Sequence, residues 1–406
     1  MTLSFELSEP LADYGRTIRE WSASKVRPYA READTNHQPP DCWRDVLDSC
    51  PVAIGRTDRR DVEPQPEFGE GKWVRDLVVT ENLNYGDHWI STLCGTGIGH
   101  LVVRLMGTPE QVETWYRPIV EEGGTAAFGL TEPGFGSDTA MVATTATRDG
   151  ETWVLNGAKM YCTYGGVADY VVVFATTDKA LGPSAIKAFV VPKGTPGMNV
   201  AKMNEDKMGI RSWITSELVF DECAVPVGNM LGYTGDAAEP ARNATGEAQT
   251  RSGRGGALGA LAQNKPNIAA LGIAMAQASL DIAGELLHEQ RLGFSPRRWS
   301  IIEDELATMD AAVNRSRRMN WHAQWLMDQR RHNKTEASMA KAYGPPTFER
   351  IIRRCMQLLG PEGTSTELLL EKWYRDVKIL DIFEGSGQVQ RIIIGRALMG
   401  QDAGRG

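Results

Sequence analysis

The hydrophobic period of this chain changes twice, and the change bounds what it can fold into. Up to about residue 124, apolar residues recur at helical intervals, over Arg16 to Arg31 and again over Val78 to Leu105. From about 125 to 232 they form short strand-like runs, namely Thr125–Leu130, Met141–Arg148, Tyr170–Ala175, Ile186–Val191 and Glu217–Phe220, separated by Gly, Pro, Asp and Asn. From about 257 the helical spacing returns, over Ala260–Gln290, Ile301–Gln329, Thr335–Leu359 and Gln388–Leu398. The expectation is a multidomain α+β chain: an N-terminal helical domain (1–124), a central antiparallel β-barrel or sandwich (125–232), a polar glycine-rich linker (233–256) and a C-terminal bundle of four main helices (257–406).

Local signals support these blocks. Thr108 before Pro109 reads as an N-cap with proline at the first helical position. Asp149–Gly150, between Thr144–Arg148 and Thr152–Leu155, reads as a hairpin turn, because both residue types tolerate positive φ. Pro39–Pro40 and the stretch 64–71 punctuate the first block.

Charge and composition narrow the function. The 406 residues carry a net charge of −8, which argues against nucleic acid as the principal partner. The basic pairs Arg317–Arg318, Arg330–Arg331 and Arg353–Arg354 lie in mixed-charge helical stretches and read as solvated faces. No apolar run nears the roughly 18 residues of a membrane span, and the N-terminus has no signal-peptide pattern. Six scattered cysteines without a C-x-x-C pair suggest reduced thiols and a cytoplasmic location. The six histidines lack metal-ligand spacing, so no metal is expected.

Three segments could carry chemistry. Gly129-Leu-Thr-Glu-Pro-Gly-Phe-Gly-Ser-Asp138 leaves a strand through a glycine-rich turn that exposes backbone N–H groups. On composition alone, a β-turn with an Asx bend at Asp138 is the simpler account. The spacing is not that of a dinucleotide-binding turn, and a strand rather than a helix follows. In Asn156–Gly166, Tyr161 and Thr163 would share one strand face and could border a flat cofactor, although taken alone Tyr161 is more simply a core residue. In Asp381-Ile-Phe-Glu-Gly-Ser-Gly-Gln388, Glu384 follows an apolar run, and Ser386 is placed to N-cap the next helix. Apolar neighbours would raise the Glu384 pKa, and the helix N-terminus would lower it. That setting suits a general base, although on the local sequence alone a surface carboxylate at a helix start is the commoner case. Asp381 is the competing carboxylate, three residues upstream.

Together these segments resemble the acyl-CoA dehydrogenase family. The likeness includes Lys207-Met-Gly-Ile-Arg211, Thr215–Phe220, Val225-Pro226, and Arg375-Asp376 followed by Phe383-Glu384-Gly385-Ser386, and it spans about residues 76 to 400. The resemblance implies that family's fold, helices then barrel then helices, with FAD between barrel and C-terminal bundle. Leu130, Thr131, Gly136, Ser137, Tyr161 and Thr163 would border the flavin, and Ser386 and Gln388 would close its adenine side. Arg291 and Phe294, with Gln357, Leu358, Leu359 and Gly360, would reach the FAD of a neighbouring subunit. Ser137, Lys265, Phe383 and Gly385 would contact an acyl-CoA substrate.

By the same resemblance, Glu384 takes the Cα proton while hydride leaves Cβ for flavin N5, giving a trans-2-enoyl-CoA. The thioester oxygen would be held by the Glu384 backbone N–H and a flavin ribityl hydroxyl. The family also places its base at a second position, in the first helix after the barrel, where this chain has Asn264. An amide is not a base at neutral pH, which leaves Glu384. The chain differs from the family at Lys265, usually arginine; at Phe383, usually tyrosine; and at Gly360-Pro-Glu-Gly363, usually a glycine-richer turn. The resemblance further implies an electron-transfer flavoprotein as acceptor and a homotetramer, or a heterotetramer with a related subunit. Two alternatives share the scaffold: a flavin oxidase or monooxygenase, and a subunit that completes a partner's FAD site.

Overall fold

The computed structural model describes residues 6–52, 71–94, 97–234 and 253–401. The N-terminal block holds α1 (Glu9–Trp21), α2 (Ala30–Asn36), α3 (Trp43–Asp48), α4 (Lys72–Leu83), α5 (Ile98–Met106), α6 (Pro109–Gln111) and α7 (Arg117–Glu122). Two π-turns, Ser22–Val26 and Val112–Tyr116, interrupt the helical path. The first lies where Gly86 comes hard against the Ser22 backbone and donates its N–H to Ser22 Oγ at 2.9 Å. Thr108 caps α6 as its sequence suggests. Its Oγ1 accepts from Gln111 N, and Gln111 Oε1 accepts from Thr108 N. Gln111 Nε2 then donates to Gly228 O and Met230 O, both at 2.8 Å, so the cap also seams the helical block to the sheet.

The middle block is one curled sheet of seven strands: β1 (Ala126–Gly129), β2 (Thr145–Asp149), β3 (Thr152–Thr163), β4 (Tyr170–Thr176), β5 (Ile186–Pro192), β6 (Met198–Lys202) and β7 (Thr215–Pro226). The order is β1-β4-β2-β3-β7-β6, with β5 also paired to β4. The sheet is not purely antiparallel, as the strand spacing suggested. β1 runs parallel to β4 because the β2–β3 hairpin intervenes in sequence, and β2 meets β4 in parallel at Thr145 and Thr176. Residues 139–141 form a 3-10 turn rather than the start of a strand.

The hairpin turn sits one residue later than expected. Asp149 pairs with Thr152, so Gly150–Glu151 forms the two-residue loop, and only Gly150 has positive φ (+56°). β6 carries no readable alternation, since four of its five residues are exposed.

The C-terminal block comprises α8 (Gly253–Glu289), α9 (Pro296–Asp328), α10 (Lys334–Leu359), α11 (Leu370–Val377) and α12 (Gly387–Leu398). Within α8, residues 255–289 are long and apolar enough by composition to cross a membrane, although 72% of the most apolar window is buried inside the protein. Ile268, Leu271 and Ile273 of α8 share one apolar cluster with Trp21 and Trp89 of the first block and Phe348 and Trp373 of the third. The two helical blocks therefore have a common core. The sheet encloses its own, built on Leu155, Val171, Phe189 and Phe220. Most of the linker, residues 235–252, lies outside the described residues, as do 64–70.

Candidate active site

Glu384 sits on the short loop between α11 and α12, and the loop is strained. Glu384 has φ +54° and Gly385 has φ +88°, a conformation that costs a residue with a side chain roughly 1–2 kcal/mol. Ser386 N-caps α12, its Oγ accepting from Val389 N at 3.4 Å. A Cβ on Gly385 would stand 2.5 Å from Gln390 Nε2, so only glycine fits there without a shift.

The Glu384 carboxylate has one occupied oxygen and one vacant one. Oε1 accepts from Asn264 Nδ2 at 2.7 Å, and Asn264 Oδ1 accepts from Asn267 Nδ2 at 3.1 Å. Oε2 is buried with no hydrogen-bond partner. Burial pushes the carboxyl up to about 7, and Lys341, Asn264 and Lys265 restrain the rise. Of the two opposed effects read from sequence, desolvation dominates, and the opposition includes Lys341, Asn264 and Lys265. Asp381 lies elsewhere, its Oδ1 buried against Gly387 at the start of α12.

Two buried lysines back this carboxylate. Lys341 of α10 donates to Phe383 O and to Gly385 O, both at 2.5 Å. Lys265 of α8 is 6% exposed and turns its Nζ to Ser338 Oγ at 3.2 Å, so it acts on Glu384 through its charge. Burial lowers both ammonium groups to about 8.

The barrel supplies the facing rim. Met160 N donates to Thr131 O at 2.9 Å, which joins the 129–138 loop to the end of β3. A bulge between Lys159 and Cys162 interrupts the pleat there, and Tyr161 has φ +55°. The bulge, not a regular strand face, therefore sets Tyr161, which stands 59% exposed while Cys162 beside it is fully buried. Leu130 is buried, Thr131 and Thr163 are half-buried, and Gly136 and Ser137 are exposed at the loop tip. The next link runs from Tyr164 N to Ile214 O at 2.8 Å, and the Trp213 ring then meets Phe383 with centroids 6.4 Å apart. The barrel rim and the Glu384 loop thus border one region, and Gln388 is exposed beside it on α12.

The remaining residues singled out in the sequence lie at the other end of the bundle. Arg291 is exposed just past α8, Phe294 stacks on Trp299, and Gln357–Gly360 ends α10. Gln290 Nε2 donates to Glu362 Oε2 at 3.0 Å, which ties the two termini together. Sixteen helical residues separate Lys341 from Gln357, a span of about 24 Å. These residues form a second group, apart from Glu384.

Sequence reasoning missed three buried charged groups. Lys159 is fully buried and bonds Glu132 Oε1 at 2.7 Å and Leu130 O at 3.3 Å, while Glu132 also accepts from Ala143 N and Thr144. Burial would raise the Glu132 pKa, but Lys159 and Thr144 hold it below its ordinary range. This pair fixes the backbone under Leu130–Thr131. Lys341 is the second group. It falls in register with Ala337, Gly344, Pro345 and Phe348 on the buried stripe of α10, a pattern that could have exposed it. The third corrects the expectation drawn from histidine spacing. Asp87, His88 and Asp376 do converge as three possible metal ligands, but Lys372 Nζ occupies their midst, 2.5 Å from Asp87 Oδ2, 2.9 Å from Asp376 Oδ2 and 3.0 Å from His88 Nε2.

The rim suits a flat, polar-edged ring system. An exposed aromatic ring, a hydroxyl-bearing loop and open space above Gly134 and Gly136 lie on the barrel side. On the bundle side, Glu384 Oε2 is without a hydrogen-bond partner. These residues fit a flavin with a substrate between it and Glu384.

Comparison with known proteins shows the family. Residues 127–223 match the family described as "Acyl-CoA dehydrogenase, middle domain", and residues 251–399 match "Acyl-CoA dehydrogenase, C-terminal domain". The mitochondrial short-chain specific acyl-CoA dehydrogenase of Bos taurus is 35% identical over 400 residues, covering 98% of this chain and 92% of that protein. Butyryl-CoA dehydrogenase from Megasphaera elsdenii superposes with a TM-score of 0.82 at 28% identity, over 98% of this chain and 100% of that one. A chain in the structure of the electron transferring flavoprotein of Acidaminococcus fermentans gives the same score, identity and coverage.

Proposed function

The chain belongs to the acyl-CoA dehydrogenase family and is an FAD-dependent oxidoreductase that dehydrogenates an acyl-CoA, and from that premise we propose that Glu384 is its catalytic base. The observation that carries the assignment is the vacant Oε2 of a buried carboxylate whose pKa stands at about 7. Such a group is half ionised near neutrality, where a base is most effective. FAD, when bound, supplies the two-electron acceptor.

Glu384 removes the Cα proton of the thioester through Oε2, while Asn264 keeps Oε1 fixed. Charge develops on the thioester oxygen as the proton leaves, so that oxygen needs a fixed donor. The Glu384 backbone N–H, which has no acceptor among the described residues, is that donor. The Phe383 ring, held against Trp213, screens the site from water. Leu130, Thr131, Gly136, Ser137, Tyr161 and Thr163 border the flavin, with Ser386 and Gln388 on its adenine side. Ser137, Lys265, Phe383 and Gly385 surround the substrate.

The group formed by Arg291, Phe294 and Gln357–Gly360 serves the FAD of a neighbouring subunit in an oligomer, a homotetramer or a heterotetramer with a related subunit. Its separation of about 24 Å along α10 from the Glu384 loop favours that reading. An electron-transfer flavoprotein is the proposed acceptor, in keeping with the similarity to a chain of the Acidaminococcus fermentans structure. The six free thiols favour a reducing compartment such as the cytoplasm. The test is anaerobic mixing with a panel of acyl-CoAs of varied length and branching. At least one should bleach the oxidised flavin, and no bleaching by any would refute the reading.

A further inference from the structure

The most unusual contact around the base is made by a buried lysine that binds the loop backbone rather than the carboxylate. Lys341 is 1% exposed, and its ammonium group binds the two carbonyls that flank Glu384, those of Phe383 and Gly385. A trans peptide is planar, so its N–H points opposite its C=O. Holding Phe383 O toward α10 therefore turns the Glu384 N–H away from α10. The second bond holds the Gly385–Ser386 peptide, and Gln390 Nε2 adds a third hydrogen bond to the same Gly385 O at 2.8 Å. The Phe383–Glu384 and Gly385–Ser386 peptides, on either side of the left-handed Glu384–Gly385 pair, are thus both held by Lys341.

We infer that Lys341 is a positioning residue for catalysis: it fixes the Phe383–Glu384 peptide plane so that the Glu384 N–H is presented to the thioester oxygen. The inference rests on the reading of Glu384 as the active-site loop. Hydrogen bonds from an ammonium ion to carbonyls are charge-assisted and stronger than neutral ones, which suits a clamp on a strained turn. Other charges near the loop do not share the task. Lys265 of α8 turns to Ser338, Lys334 acts on Lys265 through its charge, and Asp381, whose charge also acts on Lys341, faces α12. Asn264 holds the carboxylate, not the backbone.

The test is a binding cycle on FAD-loaded enzyme. One ligand is a 3-oxoacyl-CoA, whose enolate places negative charge on the thioester oxygen. The other is an S-alkyl-CoA thioether of equal length, which has no such oxygen. Lys341→Met should weaken the first by about tenfold or more and leave the second nearly unchanged. It should also lower kcat by about 100-fold with little change in KM, as expected for loss of an aligned oxyanion donor. Equal weakening of both ligands, or of neither, would overturn the inference. Lys341→Gln, which keeps one donor, runs the same cycle if Lys341→Met does not retain FAD. Loss of the folded holoenzyme in both variants would mean that Lys341 serves the core rather than the loop. Glu384→Gln keeps the backbone N–H and should still bind the 3-oxoacyl-CoA. A Glu384→Gln enzyme that turns over normally would refute the base and not the clamp.

Discussion

Asn264 Nδ2 lies 2.7 Å from Glu384 Oε1, across 120 residues of sequence. The amide stabilises the ionised carboxylate and so holds the pKa below what burial alone would give. The base works deprotonated, so kcat/KM should rise with pH through a midpoint near 7. Asn264→Leu removes the hydrogen bond and should move that limb upward by about one pH unit. A limb that stays in place would show that Asn264 does not tune the base.

The Lys159–Glu132 pair should govern stability more than chemistry. Lys159→Met leaves a buried carboxylate unpaired and should destabilise the protein by about 3–5 kcal/mol, read from chemical unfolding. Adding Glu132→Gln should recover part of the loss. The Glu132 pKa is depressed in the fold. Its stabilising contribution is therefore present above the ordinary carboxylate pKa and is lost as pH falls through the depressed value. Glu132→Gln should accordingly flatten the loss of stability in acid.

The Lys372 ammonium group lies among Asp87, His88 and Asp376 and supplies the positive charge that a metal ion would bring. Dialysis against a chelator should leave both the unfolding midpoint and the activity unchanged. Lys372→Met should cost about 3–5 kcal/mol, because two buried carboxylates lose their counter-charge. A midpoint lowered by chelation of the wild-type enzyme would contradict this assignment.

Arg291 lies far from the Glu384 loop of its own chain, so its substitution tests the shared site. Arg291→Ala should fold normally but retain less FAD, read as the flavin-to-protein absorbance ratio beside the native mass. Unaltered FAD content in an intact oligomer would place Arg291 outside any flavin site.

What the sequence revealed and what it hid divide along physical lines. Local signals were readable. Thr108 and Ser386 are N-caps because their hydroxyls bond within three residues. Glu384 is a candidate through its apolar neighbours and the following Gly385, and only the family resemblance, with Asn264 at the rival position, singles it out as the base. Pairings across long separations were not readable. Lys159 meets Glu132, Lys372 meets Asp87, and Lys341 meets the Glu384 loop only once the blocks pack. The hairpin slipped by one residue because Gly150 alone supplies the positive φ the turn needs. Tyr161 faces outward through a bulge that no alternation pattern encodes.

The most direct measurement is the rate of anaerobic flavin reduction in Glu384→Gln beside the wild type, using an acyl-CoA that bleaches the wild-type enzyme. The variant should bind FAD and ligand with unchanged stoichiometry, yet reduce its flavin at least about 100-fold more slowly, since a positioned base contributes 10²–10⁴. Reduction at the wild-type rate would mean that another group takes the proton and that Glu384 is not the base.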